Sequence, residues 1–126
     1  MHVDEGTMHV NVRKVEDVVI ADLKGQLHAG LGDEILRGVV NELLAEGWRK
    51  ILLNCSKVTS IDSAGVGELV QSLRICRKFE ADLKLLNLHD RIKRSLHLAQ
   101  LLPVFHVYDD EAEALKGFGT AVGSGR

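Results

Sequence analysis

Two neighbouring stretches decide how this chain is read: "KILLNC" (Lys50–Cys55) and "TSIDSAGVG" (Thr59–Gly67). The first is almost wholly apolar, the pattern of a strand buried on both faces between helices. The second sets a small hydroxyl, Ser63, between Asp62 and a run of alanine, glycine, valine and glycine. From Val66 onward, Leu69, Val70, Leu73, Cys76 and Phe79 recur at helical spacing, which predicts a helix from about Ala64 to Phe79. Ser63 therefore sits just past the carboxyl end of a strand, where a helix begins. In open α/β sheets that is where functional groups gather.

Working outward, "MHVNVRKV" (Met8–Val15) alternates apolar and polar residues with the period of a half-buried strand. "EDVVIADLKG" (Glu16–Gly25) continues after a charged turn, so the first two strands are expected to pair as a hairpin or lie as near neighbours. Gly30 and Gly32 interrupt the chain. Ile35, Leu36, Val39, Val40, Leu43 and Leu44 then form one stripe of a helix that ends at Gly47. "ADLKLLNL" (Ala81–Leu88) reads as a further buried strand. "DRIKRSLHLAQLL" (Asp90–Leu102) reads as a helix closed by Pro103. "VFHVY" (Val104–Tyr108) is a last strand, and "DDEAEALKGF" opens with acids suited to a helix N-terminus. The order ββαβαβαβα implies an α/β fold: a central mixed sheet of about 4–5 strands flanked by about four helices. The domain is expected to span residues 8–118, with residues 1–7 and 119–126 as mobile termini.

At 126 residues, 45% hydrophobic and 27% charged, the chain has the composition of one soluble domain with its own core. A net charge of −2 does not point to nucleic acid or to an acidic membrane surface. No apolar run approaches the roughly 20 residues of a membrane span, and "MHVDEGTMHV" lacks the features of a signal peptide. Cys55 and Cys76 are too few for a disulfide framework, and both read as buried small hydrophobes. A cytoplasmic setting is expected. The six histidines offer no His-x-x-x-His pair, so neither a metal nor another cofactor is expected. "RICRK" (Arg74–Lys78) and "RIKR" (Arg91–Arg94) read as solvated helix faces, and Trp48 as a packing anchor.

Ser63 admits four roles. As a hydrolase nucleophile it would need G-x-S-x-G, but Ile61 stands where the first glycine is required to turn the chain. His28, His89, His97 and His106 show no spacing that marks a base, and so small a fold has little room for a substrate pocket. As part of a nucleotide loop, "GVGELV" (Gly65–Val70) puts Val70 at the third glycine position, and no Gly-Lys-Ser/Thr follows. As a helix cap, Asp-Ser is well suited, because a side-chain oxygen there accepts an orphaned backbone N–H. A cap does not account for Ala64, Gly65 and Gly67 together. Small residues there would leave the serine uncovered and let another surface approach, the fourth role.

"VTSIDSAGVGEL" (Val58–Leu69) resembles the signature of the STAS domain family. In its bacterial anti-sigma factor antagonists, a hydrophobic strand leads into Asp-Ser-[Ser/Thr/Ala]-Gly-[Leu/Val]-Gly. The resemblance extends over roughly Met8 to Phe118 through the order of elements, and it includes "LKGQL" (Leu23–Leu27). It implies a single STAS-like domain in which Ser63 is the phosphoacceptor. It further implies that Asp62, Ser63, Gly65, Val66, Gly67 and His28 belong to the partner-binding surface. Many antagonists read Gly-Glu-Leu-Asp where this chain has Gly25-Gln26-Leu27-His28, a departure that bears on partner choice. The implied protein is a non-enzymatic switch in transcription regulation. Unphosphorylated, it would bind an anti-sigma factor that is also a serine kinase, and a metal-dependent serine phosphatase would reset it. The alternative within the same family is a scaffold or transporter-associated module without a phosphorylation switch.

Overall fold

The computed structural model describes residues 8–119. The termini expected to be mobile, 1–7 and 119–126, lie outside the described residues apart from Gly119. Strands β1 (Met8–Val15), β2 (Val18–Leu27), β3 (Lys50–Ile61), β4 (Asp82–Leu86) and β5 (Val107–Tyr108) form one sheet in the order β1-β2-β3-β4-β5. β1 runs antiparallel to β2, as the hairpin pattern predicts, and every other neighbouring pair is parallel. The helices are α1 (Gly32–Ala45), α2 (Ser63–Lys78), α3 (Asp90–Leu98) and α4 (Glu111–Gly117).

The parallel crossovers place α1, α2 and α3 on the same side of the sheet, since each right-handed connection advances one strand in the same direction. Leu36 and Val40 of α1, Leu69 and Leu73 of α2, and Ile92 and Leu96 of α3 share one core with Ala21, Ile51, Leu53 and Leu85. The opposite face is covered over part of its area by α4, whose Ala114 meets Val18, Ile20, Leu52 and Leu86, joined by Phe118. "KILLNC" is thus apolar for the expected reason: Ile51, Leu53 and Cys55 face three helices, while Leu52 faces the fourth. Burial pushes the Cys55 thiol up to about 12 and the Cys76 thiol to about 11. Both are inert packing groups at neutral pH. Trp48 packs against the core beneath α1, with the Lys14 ammonium 5.7 Å from its ring centre.

Three boundaries differ from the sequence reading. β3 does not stop at Cys55 but continues to Ile61. Between the pairs Asp22–Asn54 and Lys24–Lys57, β3 advances three residues while β2 advances two, and a second shift follows at Gly25–Gln26. These bulges break the period of two, so Cys55, Val58 and Ile61 turn inward at intervals of three, a pattern that hides a strand. α3 ends at Leu98, because Gln100 takes a left-handed conformation (φ 60°) and Leu101 N–H turns back to Leu96 O. Pro103 lies in a short 3-10 turn, Leu102–Val104, which leaves β5 only two residues.

One buried cation was not foreseen. Lys84 of β4 has a side chain only 4% exposed. Its Nζ donates to His106 Nδ1 at 3.0 Å and lies 5.1 Å from the ring centre of Phe118. A buried ammonium is tolerated there because Asp82 Oδ2 lies 3.4 Å away as a counter-ion, while the His106 acceptor and an aromatic face replace its water.

Candidate functional site

The site forms where β2 and β3 end side by side. Leu27 and Ile61 are register partners, and immediately after Ile61 the chain turns into α2. Asp62, not Ser63, is the N-cap of that helix. Its backbone is extended, and Oδ1 accepts the Gly65 N–H at 2.9 Å. Oδ2 accepts the Ala29 N–H at 3.0 Å, from the loop that follows β2. The Asp62 N–H donates in turn to Leu27 O at 3.3 Å. One carboxylate therefore caps a helix and ties two loops together. The N–H groups of Ala29 and Gly65 hold its carboxyl below the usual carboxylate range, and the nearby His28 adds to this.

With capping assigned to Asp62, Ser63 is left as the first residue of α2, exposed to solvent. Its hydroxyl takes no part in the hydrogen bonds found among the described residues. The neighbouring hydroxyls differ. Thr59 Oγ1 donates to Gly25 O at 3.2 Å, and Ser60 Oγ lies 2.8 Å from His28 Nε2. The first turn of α2 carries no acidic residue of its own. A 16-residue helix therefore presents its positive dipole end and free N–H groups beside an unengaged hydroxyl.

The two glycines have different duties. Gly65 is buried, and a Cβ there would overlap the carbonyl oxygen of Leu27 and come within 2.8 Å of Ile61 Cγ1. Its smallness serves the approach of α2 to the end of β2. Gly67 does face open space, with nothing within 4 Å of a Cβ. Val66 is half-buried against the core. His28 is half-buried beside Asp62 and engages Ser60, not Ser63.

Beside Ser63 lies a hollow of about 410 Å³ between the first turn of α2 and the last turn of α3. Ile61, Val66, Leu98 and Ala99 give it an apolar lining, and Leu98 is 72% exposed. Sequence reasoning did not single out Leu98. The available signal was a leucine off the helix face that carries the buried Ile92 and Leu96. Behind the site, Arg37 of α1 clasps Glu68 of α2, donating to Oε1 from Nε at 3.2 Å and from Nη2 at 2.9 Å. Glu68 is only 6% exposed, so this pair fixes the inner side of α2 while its N-terminus faces outward.

The family model for the STAS domain matches residues 9–114. A Thermotoga neapolitana protein, provisionally named an anti-sigma factor antagonist, is 33% identical over 102 residues, covering 81% of this chain and 90% of that protein. A crystal structure from Thermotoga maritima, with the same provisional description, aligns with TM-score 0.79 and 29% identity over 86% of this chain and 92% of the other. A sulfate transporter family protein from Wolinella succinogenes aligns with TM-score 0.71 and 25% identity, over 82% of this chain and 88% of the other.

Proposed function

The chain belongs to the STAS domain family, and from that premise we propose that it is an anti-sigma factor antagonist controlled by phosphorylation of Ser63. The unphosphorylated form binds an anti-sigma factor that is also an ATP-dependent serine kinase, and so frees a sigma factor. The kinase transfers phosphate to Ser63 and the domain is released; a metal-dependent serine phosphatase restores the hydroxyl. The domain itself is the substrate of these enzymes and catalyses nothing.

The observation that carries this reading is the division of labour at the α2 N-terminus. Asp62 satisfies the cap, so Ser63 is exposed, unbonded and free to be modified without loss of the fold. The charge argument gives the direction of the switch. Phosphate adds about −1.5 to −2 charges at neutral pH, at a single point. Against the formal −2 of the whole chain, that nearly doubles the charge. Free N–H groups of α2 stabilise the anion within the domain. At a packed interface the same group has to be desolvated beside the Leu98–Val66 hollow, so the partner is expelled without refolding. A loss of 3 kcal/mol in binding corresponds to a factor of more than ~100.

The test is phosphorylation by the cognate kinase with ATP, mass spectrometry of the product, and calorimetric titration of both forms against that partner. Phosphate on Ser63 alone and a loss of affinity above ~100-fold are expected. Modification confined to Thr59 or Ser60, or equal affinity of the two forms, would sink the reading.

A second reading keeps the fold and drops the switch: a scaffold or transporter-associated module. His28 favours it, since an imidazole bonded to Ser60 stands where many antagonists carry an acid. Under that reading Ser63→Ala and wild type capture the same partner with the same affinity, and Ser63 carries no phosphate in the native cell.

A further inference from the structure

The sheet face opposite α1–α3 is covered by α4 at one end only, and at its other end lies a polar hollow of about 390 Å³. Its floor is a closed network. Arg13 donates to Asp22 at 2.7 and 3.2 Å and also to Glu111. Asn54 Nδ2 donates to Asp22 Oδ1 at 2.7 Å, and Asn54 Oδ1 accepts from Asn87 Nδ2 at 3.3 Å. The Asp22 carboxyl is accordingly held below its usual range, first by Arg13 and also by Asn54.

Above this floor stand Lys24 and Lys57, register partners on the adjacent central strands β2 and β3. Both are exposed, and among the described residues neither has an ion-pair partner. Like charges directly opposite each other across strands are destabilising. The β3 bulge is what brings the two into register, because it inserts one residue between the Asn54 and Lys57 pairings. Bulges of this kind commonly re-aim side chains at functional sites. Lysines that protect a sheet from aggregation belong on edge strands, and these two are central. The acid in the hollow, Asp22, bonds Arg13 and Asn54, and it forms no ion pair with Lys24 or Lys57 among the described residues.

We propose that this hollow is a binding site for a small soluble phosphate monoester. The phosphoryl group lies between the Lys24 and Lys57 ammoniums, and the remainder of the molecule rests over the amides of Asn11 and Asn54. The charge pattern selects a compact anion: two adjacent cations stand over a floor where Asp22 and Glu111 share the single guanidinium of Arg13, which leaves the group net positive. The volume lies in the range of small-molecule sites. Arg13 serves as a positioning residue, since its guanidinium is committed to Asp22 and Glu111. The site uses neither Ser63 nor the Leu98 hollow, so it stands whether or not the switch operates.

The test is a two-dimensional ¹⁵N–¹H NMR titration of the full chain with glycerol 3-phosphate, with glycerol as the control. Saturable shifts at Asn11, Lys24, Asn54 and Lys57, absent with glycerol, are expected. Lys24→Gln and Lys57→Gln should each weaken binding about tenfold, as loss of a charge-assisted hydrogen bond implies, while Lys78→Gln leaves it unchanged. Both lysines are exposed, so circular dichroism of the variants should match wild type. The proposal is overturned by shifts that do not saturate, by equal weakening in Lys78→Gln, or by shifts centred on Ser63–Gly67. Binding to phosphatidic acid vesicles but not to glycerol 3-phosphate overturns it too.

Discussion

Gly65 lies against the carbonyl oxygen of Leu27 so closely that a methyl group at its Cα would overlap that oxygen. The obstacle is backbone, and the same carbonyl already accepts the Asp62 N–H. It has no flexible end that can swing aside. Gly65→Ala should therefore cost about 3 kcal/mol, the upper part of the usual overpacking range. Gly67→Ala, facing open space within the same helix, should be neutral or stabilise by up to ~1 kcal/mol through helix propensity. Urea melts of the two variants check this, and comparable destabilisation by both would show that the close approach does not govern stability.

Three truncations should rank by mechanism. Leu53 is fully buried between β2, β4 and the helices, so Leu53→Ala should cost ~2–5 kcal/mol. Asp62→Ala removes the α2 cap, a loss of ~1 kcal/mol in typical helices. Ser63→Ala removes a hydroxyl that bonds nothing in the described fold and should change stability by less than ~0.5 kcal/mol. Denaturant midpoints give the order, and a Ser63 variant less stable than the Asp62 variant would make the serine a structural residue.

The acid limb of the stability curve should carry the Asp62 signature. Its folded-state carboxyl is held below the usual range, so protonation favours the unfolded chain. The stabilisation is complete above the unfolded value of about 3.9 and is lost as pH falls from there through the folded value. Wild type should exceed Asp62→Asn in stability at pH 7, and the gap should narrow by pH 3. Asp22 titrates in both proteins and cancels in the difference. A gap that stays constant with pH would mean that the Ala29 and Gly65 hydrogen bonds do not depend on the charge.

Arg37 and Glu68 should show strong coupling. Arg37→Met leaves a nearly buried carboxylate without the guanidinium that satisfies it, which is worse than losing both charges. The double variant Arg37→Met/Glu68→Met should be more stable than Arg37→Met alone, and a thermodynamic cycle from thermal melts should give a non-zero interaction term. Simple additivity would assign the pair to the solvated surface.

Local pattern alone determined most of the architecture. The alternation in Met8–Val15, the apolar run Lys50–Cys55 and the helical spacing from Leu69 to Cys76 are each consequences of one element burying one or two faces. The address of Ser63 followed from the same logic, because a strand, a small turn and an amphipathic run can be read along the chain. Tertiary structure decided what lies outside any local window. The extension of β3 to Ile61 depends on bulges against β2, which scramble the period that marks a strand. The choice of Asp62 over Ser63 as cap rests partly on Ala29, 33 residues away, reaching the second carboxylate oxygen. The role of Gly65 rests on Leu27, and the exposure of Leu98 beside the serine on how α3 packs. Periodicity records which face a residue turns to the core; the backbone it meets there is set by how distant segments close on one another.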